Sequence, residues 1–153
     1  SLSGWKRIPE AGILRNPNQV ETRRSLVDLM EVAEVAAMVL TDPGHTGATY
    51  ELAGTPPFSQ EEAAVTLGDA LGRPVRAEVE PFPAWEARAI AAGLSTAQRE
   101  MLARMFDYYA RFGLTGNPRT LRWLLRREPT ALAEFARRSV QEQGANSARP
   151  EAS

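Results

Sequence analysis

The fold is decided by residues 23–40, which read RRSLVDLMEVAEVAAMVL. The first five residues form a short strand candidate. Asp28 follows, with Glu31 three residues later, which is the spacing of an N-terminal capping box in which Asp takes the capping position. Apolar residues then recur at helical spacing as far as Leu40. The stretch therefore predicts a strand that leads directly into an amphipathic helix.

The same alternation of strand and helix continues along the chain. Residues 49–53 (TYELA) read as a second strand, and residues 74–80 (PVRAEVE) alternate apolar and charged side chains, as a half-buried strand does. Between them, Ser59 and Glu62 form a second capping box at the start of a helix. Residues 1–22 carry no strand or helix pattern. The order strand-helix-strand-helix-strand favours crossover connections and parallel pairing.

The second half of the chain is predicted to be helical. Ser95 and Gln98 make a third capping box, which opens the longest helix, and Thr130 is expected to cap the last one. We therefore predict an α/β fold: a small, partly parallel sheet with crossover helices, plus a C-terminal helical cluster. Residues 1–143 are predicted to form the folded domain, and the polar composition of residues 144–153 predicts a disordered tail.

Composition excludes several classes of function. The 153-residue chain has a net charge of −1, so its overall field favours neither a nucleic acid nor an anionic membrane as a partner. No apolar run approaches the roughly 20 residues that cross a bilayer. Without cysteine there is no disulfide, thiolate metal site or cysteine nucleophile. The lack of cysteine agrees with a reducing compartment, and we expect a cytoplasmic protein.

The motifs of a complete nicotinamide-dependent enzyme are missing from the sequence. It contains no Gly-x-Gly-x-x-Gly and no Walker-type phosphate loop. A Tyr-x-x-x-Lys pair is impossible, because Lys6 is the only lysine and no tyrosine precedes it by four residues. His45, the only histidine, sits in a turn and is expected to be exposed there. We therefore predict no catalytic, cofactor-binding or metal-ligating residues in this chain.

An apolar cleft is the binding feature that the sequence does suggest. The longest helix is apolar over more than one stripe, so it is either covered on two sides or forms the wall of a cleft. If it is a wall, Met105 and Tyr109 line the cleft together with Trp85 from the preceding helix, while Phe106 belongs to the core. The predicted substrate-binding residues are accordingly Trp85, Met105 and Tyr109, and the predicted ligand is a small organic molecule.

Several segments in order resemble one known family. Residues 25–37 (SLVDLMEVAEVAA), 42–45 (DPGH) and 50–54 (YELAG) are similar to the NmrA-like family of atypical short-chain dehydrogenase/reductase proteins. The agreement continues through residues 70–75 and 127–130, and it covers nearly the whole chain except the tail. The order and spacing of the segments together carry the resemblance.

The resemblance implies the carboxyl-terminal, substrate-side half of a Rossmann-type protein. In the family the glycine-rich loop and any catalytic residues lie in the other half, so none is carried over to this chain. NAD(P)H is implied for a full-length member, with no cofactor held by this chain alone. The expected protein partner is either the missing Rossmann half or a second copy of the chain.

Three functions remain open at this stage. The first is the substrate-binding half of an NAD(P)H-dependent oxidoreductase of small organic substrates. The second is a non-enzymatic, NAD(P)-sensing regulatory or protein-interaction module, a role that some NmrA-like proteins have. The third is a free-standing module that binds a small ligand or a partner.

Overall fold

The computed structural model describes residues 12–147 of the chain. Within them the elements follow in the order β1 (Ile13–Asn16), α1 (Leu29–Thr41), α2 (Gln60–Leu71), β2 (Arg76–Val79), α3 (Phe82–Ala91), α4 (Thr96–Phe112), α5 (Arg119–Leu125) and α6 (Leu132–Ser147). These elements divide into two compact units: residues 12–23 with 59–114, and residues 24–58 with 115–147. In the described part of the chain, no helix is both long enough and apolar enough to span a membrane.

The first unit is built on a small parallel sheet. β1 and β2 pair in parallel, with Ile13 opposite Arg76 and Asn16 opposite Val79. The crossover helix α2 lies between them in sequence and contacts both strands. At its start, the buried Gln60 donates hydrogen bonds through Nε2 to the carbonyl oxygens of Leu14 (2.7 Å) and Glu78 (3.1 Å). One side chain thus bridges the two strands, and the predicted α/β fold with a small parallel sheet is confirmed.

Capping explains where α2 begins and ends. Ser59 and Glu62 form both bonds of the predicted capping box, and Gly72 ends the helix with a left-handed backbone (φ 65°). The small buried side chains Ala63 and Ala64 face inward, which allows the helix to pack closely against its neighbours. The capping box of Ser95 and Gln98 is likewise complete at the start of α4.

The second unit has its core where α1 meets α5. Val35 of α1 is buried with three leucines of α5: Leu121, Leu124 and Leu125. Asp28 caps α1 as predicted, since its side chain accepts a hydrogen bond from the Met30 amide. The predicted strands at residues 23–27 and 49–53 supply partly buried side chains to the same core.

Those two segments are not strands, and this prediction was wrong. Arg24 forms a single antiparallel bridge with Phe58. The amides of Gly54 and Thr55 both donate to the carbonyl oxygen of Leu26 (2.7 and 2.9 Å). A regular ladder gives each carbonyl oxygen one opposing amide, so this two-to-one pairing interrupts the ladder, as a β-bulge does.

Three further features differ from the prediction: a strand, a capping residue and the end of the last helix. Residues 13–16, for which the sequence shows no pattern, form β1, because their ladder partner β2 lies some sixty residues later. Thr130 donates its hydroxyl to Glu31 rather than capping α6. Residues 144–147 belong to α6, where the composition predicts a disordered tail. Residues 1–11 and 148–153 lie outside the described part.

Candidate functional site

Trp85, the first predicted site residue, is a buried anchor between α3 and α4. Its side chain is only 5% exposed. The indole ring lies 5.2 Å from the ring of Phe82 and meets Phe106 edge-to-face at 5.1 Å, measured between ring centroids. Edge-to-face contact is a favourable geometry for aromatic pairs. Trp85 thus joins the two helices that were expected to form a cleft.

Met105 and Tyr109 lie on α4 and are both partly buried. The ring contact seen for Tyr109 is with Tyr108 (6.1 Å), whereas Trp85 contacts Phe106. Phe106 was expected in the core but is only partly buried, and α4 contains no fully buried residue. A wall formed by Trp85, Met105 and Tyr109 together therefore remains a prediction.

The outer edge of α4 carries an exposed apolar strip. Met101, Tyr108 and Phe112 fall on one face at helical spacing and are 62%, 57% and 68% exposed. The rings of Tyr108 and Phe112 also pack together, 4.8 Å apart. The helix therefore has two apolar stripes, one against α3 and the other open to solvent. Contiguous exposed apolar surface of this kind is typical of interaction sites.

Polar side chains gather at the carboxyl edge of the parallel sheet. The amide of Asn18 donates to Asn16 Oδ1 (2.9 Å) just after β1. Asn18 itself is 6% exposed, and its Oδ1 has no hydrogen-bond partner within residues 12–147. In open parallel sheets ligands bind outside the carboxyl ends of the strands. An unpaired buried acceptor at this edge is therefore a candidate substrate contact.

Glu80 follows β2 at the same edge as part of a bidentate ion pair. Arg88 Nε lies 3.0 Å from Glu80 Oε1, and Arg88 Nη2 lies 2.7 Å from Oε2. The hydrogen bond to Glu80 is the main cause that raises the pKa of Arg88. The pair compensates the charge of Glu80 and occupies both of its carboxylate oxygens. The edge can therefore orient a neutral polar group.

The amino-acid sequence alone gives little sign of this edge. The local signal is the run Asn16-Pro17-Asn18 shortly after Ile13 and Leu14, which reads as an ordinary turn. The parallel pairing with β2 is what makes it the carboxyl edge of a sheet. No group of three or more possible metal ligands comes together among the described residues.

A separate cavity of about 520 Å³ lies within the second unit. Its lining consists of Met38, Asp42, Pro43, His45, Trp123, Leu124, Leu125 and Arg126. His45 was expected to be an exposed turn residue, but it is partly buried, and its Nδ1 lies 2.8 Å from the Tyr50 hydroxyl.

Comparison with known proteins relates the chain to NAD(P)H-dependent reductases. It is 41% identical over 56 residues to the NAD(P)H azoreductase of Xenophilus azovorans. The structure resembles the triphenylmethane reductase of a Citrobacter species (TM-score 0.71, 24% identity, 92% of this chain). It also resembles an NADPH-dependent quinone oxidoreductase of Escherichia coli (TM-score 0.72, 25% identity, 88% of this chain). No protein-family model matches the sequence.

The chain spans only part of each of these proteins. The likeness covers 47% of the Citrobacter reductase and 49% of the quinone oxidoreductase. For the azoreductase the matched stretch covers 37% of this chain and 20% of the relative. Both solved reductases are also known as complexes with NADP(H) or NADPH. The structural neighbours are therefore Rossmann-type, NADP(H)-binding oxidoreductases.

Proposed function

We propose that this chain is the substrate-side half of an NAD(P)H-dependent, NmrA-like oxidoreductase that acts on small organic molecules. The observation that carries the proposal is the extent of the structural likeness. It takes in about nine tenths of this chain but less than half of each reductase. The partner that would complete the site is a Rossmann half with a glycine-rich loop.

The described residues fit contact with a substrate rather than with a dinucleotide. Asn18 holds an unpaired oxygen that is buried at the carboxyl edge of the sheet and could accept a hydrogen bond from a hydroxyl or amide group that reaches it. No glycine-rich turn that could hold a pyrophosphate follows β1 or β2. When bound to the other half, the nicotinamide would supply the hydride.

In this proposal the chain contributes shape and exclusion of water. Trp85 fixes α3 against α4, while Met105 and Tyr109 offer partly buried apolar surface to an organic substrate. Asn18 would orient the polar end of that substrate. Binding in an apolar, water-poor site strengthens each hydrogen bond and keeps solvent from the reacting centre.

The isolated chain is expected not to bind NADPH, because it has neither a backbone nest for a pyrophosphate nor a motif for the ribose. Heat or fluorescence is measured while NADPH is titrated into the purified protein. Saturable binding at roughly micromolar concentration would show that this chain holds the cofactor itself. Such affinity corresponds to a binding free energy of about 8 kcal/mol.

Tyr109→Ala is expected to lower the free energy of unfolding by only about 1 kcal/mol, because a wall residue has one open side. It should nevertheless weaken the binding of an apolar dye such as Nile red. Phe106→Ala, which removes the ring packed on Trp85, should be more destabilising. Urea unfolding and a dye titration on both variants check this. Equally large stability losses would identify Tyr109 as ordinary core.

A further inference from the structure

The cavity of the second unit has the size of a small-molecule site. It measures about 520 Å³ and lies beside the end of α1, the turn at residues 42–45 and the end of α5. Ligand pockets commonly fall between about 300 and 1,000 Å³, with mainly apolar walls and a few polar groups. Here Met38, Leu124 and Leu125 supply the apolar wall.

Arg126 lies on this lining in an unfavourable backbone conformation. It is the one non-glycine residue with positive φ among those described (φ 54°), at the position where α5 ends. Glycine is usual there, because a Cβ atom makes the left-handed conformation unfavourable. Among the side chains that the structure describes, none forms an ion pair with the Arg126 guanidinium, whereas Arg122 pairs with Glu128 and Arg127 with Glu31. Arg126 therefore adds to this lining a cation that has no ion pair with any described side chain.

Trp123 supplies an aromatic surface beside that cation. Its side chain is 67% exposed although it lines the cavity. The indole packs against Tyr50, with ring centroids 6.5 Å apart, and the Tyr50 hydroxyl lies 2.8 Å from His45 Nδ1. The contact with Tyr50 therefore fixes the orientation of the Trp123 ring. The other nitrogen of His45, Nε2, has no partner in the described part of the chain.

We propose that this cavity binds a small aromatic monocarboxylate. The aromatic ring stacks on Trp123, the carboxylate pairs with the Arg126 guanidinium in the bidentate geometry that arginine favours, and His45 Nε2 is available for a further hydrogen bond. The only acid on the lining, Asp42, opposes additional negative charge. Because the lining carries the Arg126 guanidinium and the Asp42 carboxylate, the cavity favours a singly charged ligand over a nucleotide or another polyphosphate.

The test is a calorimetric titration of the full chain with naphthoate and with its neutral analogue naphthamide. The unmodified protein should bind naphthoate saturably and more tightly than naphthamide. Arg126→Gln should weaken naphthoate about tenfold or more, since a charge-assisted hydrogen bond is lost, and should leave naphthamide unchanged. Arg119→Gln, an exposed arginine on the same helix but off the lining, is the matched control and should change neither ligand.

A second variant separates binding from folding. Arg126→Gly removes the cation and also relieves the left-handed conformation, so it should unfold at the same or a higher urea concentration while losing naphthoate affinity as Arg126→Gln does. The proposal is overturned if the unmodified chain shows no saturable binding of naphthoate. It is also overturned if naphthamide binds equally well, or if Arg119→Gln weakens naphthoate as much as Arg126→Gln.

Discussion

Replacing Trp85 by alanine should lower the free energy of unfolding by about 3–5 kcal/mol, the range for emptying a buried aromatic site. The indole is 5% exposed and contacts Phe82 and Phe106. Its removal leaves a cavity between α3 and α4 and ends the edge-to-face contact that joins them. Urea unfolding, followed by far-ultraviolet circular dichroism, measures the change.

Trp123→Ala is the matched control for that experiment. The same residue type is removed, but Trp123 is 67% exposed, so the expected loss is about 1 kcal/mol or less. Similar losses in the two variants would contradict the assignment of Trp85 as the anchor of α3 against α4.

Glu31→Ala should lower the free energy of unfolding by about 2–4 kcal/mol. Glu31 is 2% exposed, and its Oε1 accepts hydrogen bonds from Arg127 Nη1 (2.7 Å), the Thr130 amide (2.8 Å) and the Thr130 hydroxyl (3.0 Å). Removing the carboxylate leaves the Thr130 amide without its acceptor, and buried unpaired groups are costly. The segment between α5 and α6 would lose its attachment to α1.

Glu34→Ala provides the control, because Glu34 pairs with the same guanidinium at 2.6 Å but is about half exposed. Exposed ion pairs contribute little, so a loss of about 1 kcal/mol or less is expected. Both variants are compared by urea unfolding under the same conditions. An equal or larger effect at Glu34 would show that the exposed pair, not the buried acceptor, holds the segment.

The helices were predictable because their signals are local. The capping boxes at Ser59 and Ser95 form as the spacing predicts, and single glycines end the helices that follow them. At α1 the spacing alone misled in part, since Asp28 caps the helix but Glu31 is drawn into the contact with Arg127 and Thr130. Those partners lie about a hundred residues away, and no local pattern announces them.

The sheet and the site were less predictable because they depend on distant pairing. β1 is a four-residue strand that is defined by its partner β2. Asn18 becomes a candidate contact only once that pairing places it at a carboxyl edge. The aromatic pattern singled out Trp85 as a cleft residue, and the structure shows its ring buried, because helical spacing does not distinguish a core ring from a cleft wall. The cavity around Trp123 and His45 joins α1, a turn and α5, so it has no sequence signature.

The central claim is that this chain completes the substrate side of an NAD(P)H-dependent reductase. Its most direct test is a chimera in which the Rossmann half of the Escherichia coli quinone oxidoreductase precedes residue 12 of this chain. NADPH binding is measured first, which shows that the cofactor half has folded. NADPH oxidation is then followed by absorbance with a quinone, a triphenylmethane dye and an azo compound as acceptors. We expect NADPH oxidation that depends on the presence of an acceptor. The KM for that acceptor should be higher in the Tyr109→Ala variant. A chimera that binds NADPH but oxidises it with none of the acceptors would contradict the account and favour a regulatory module.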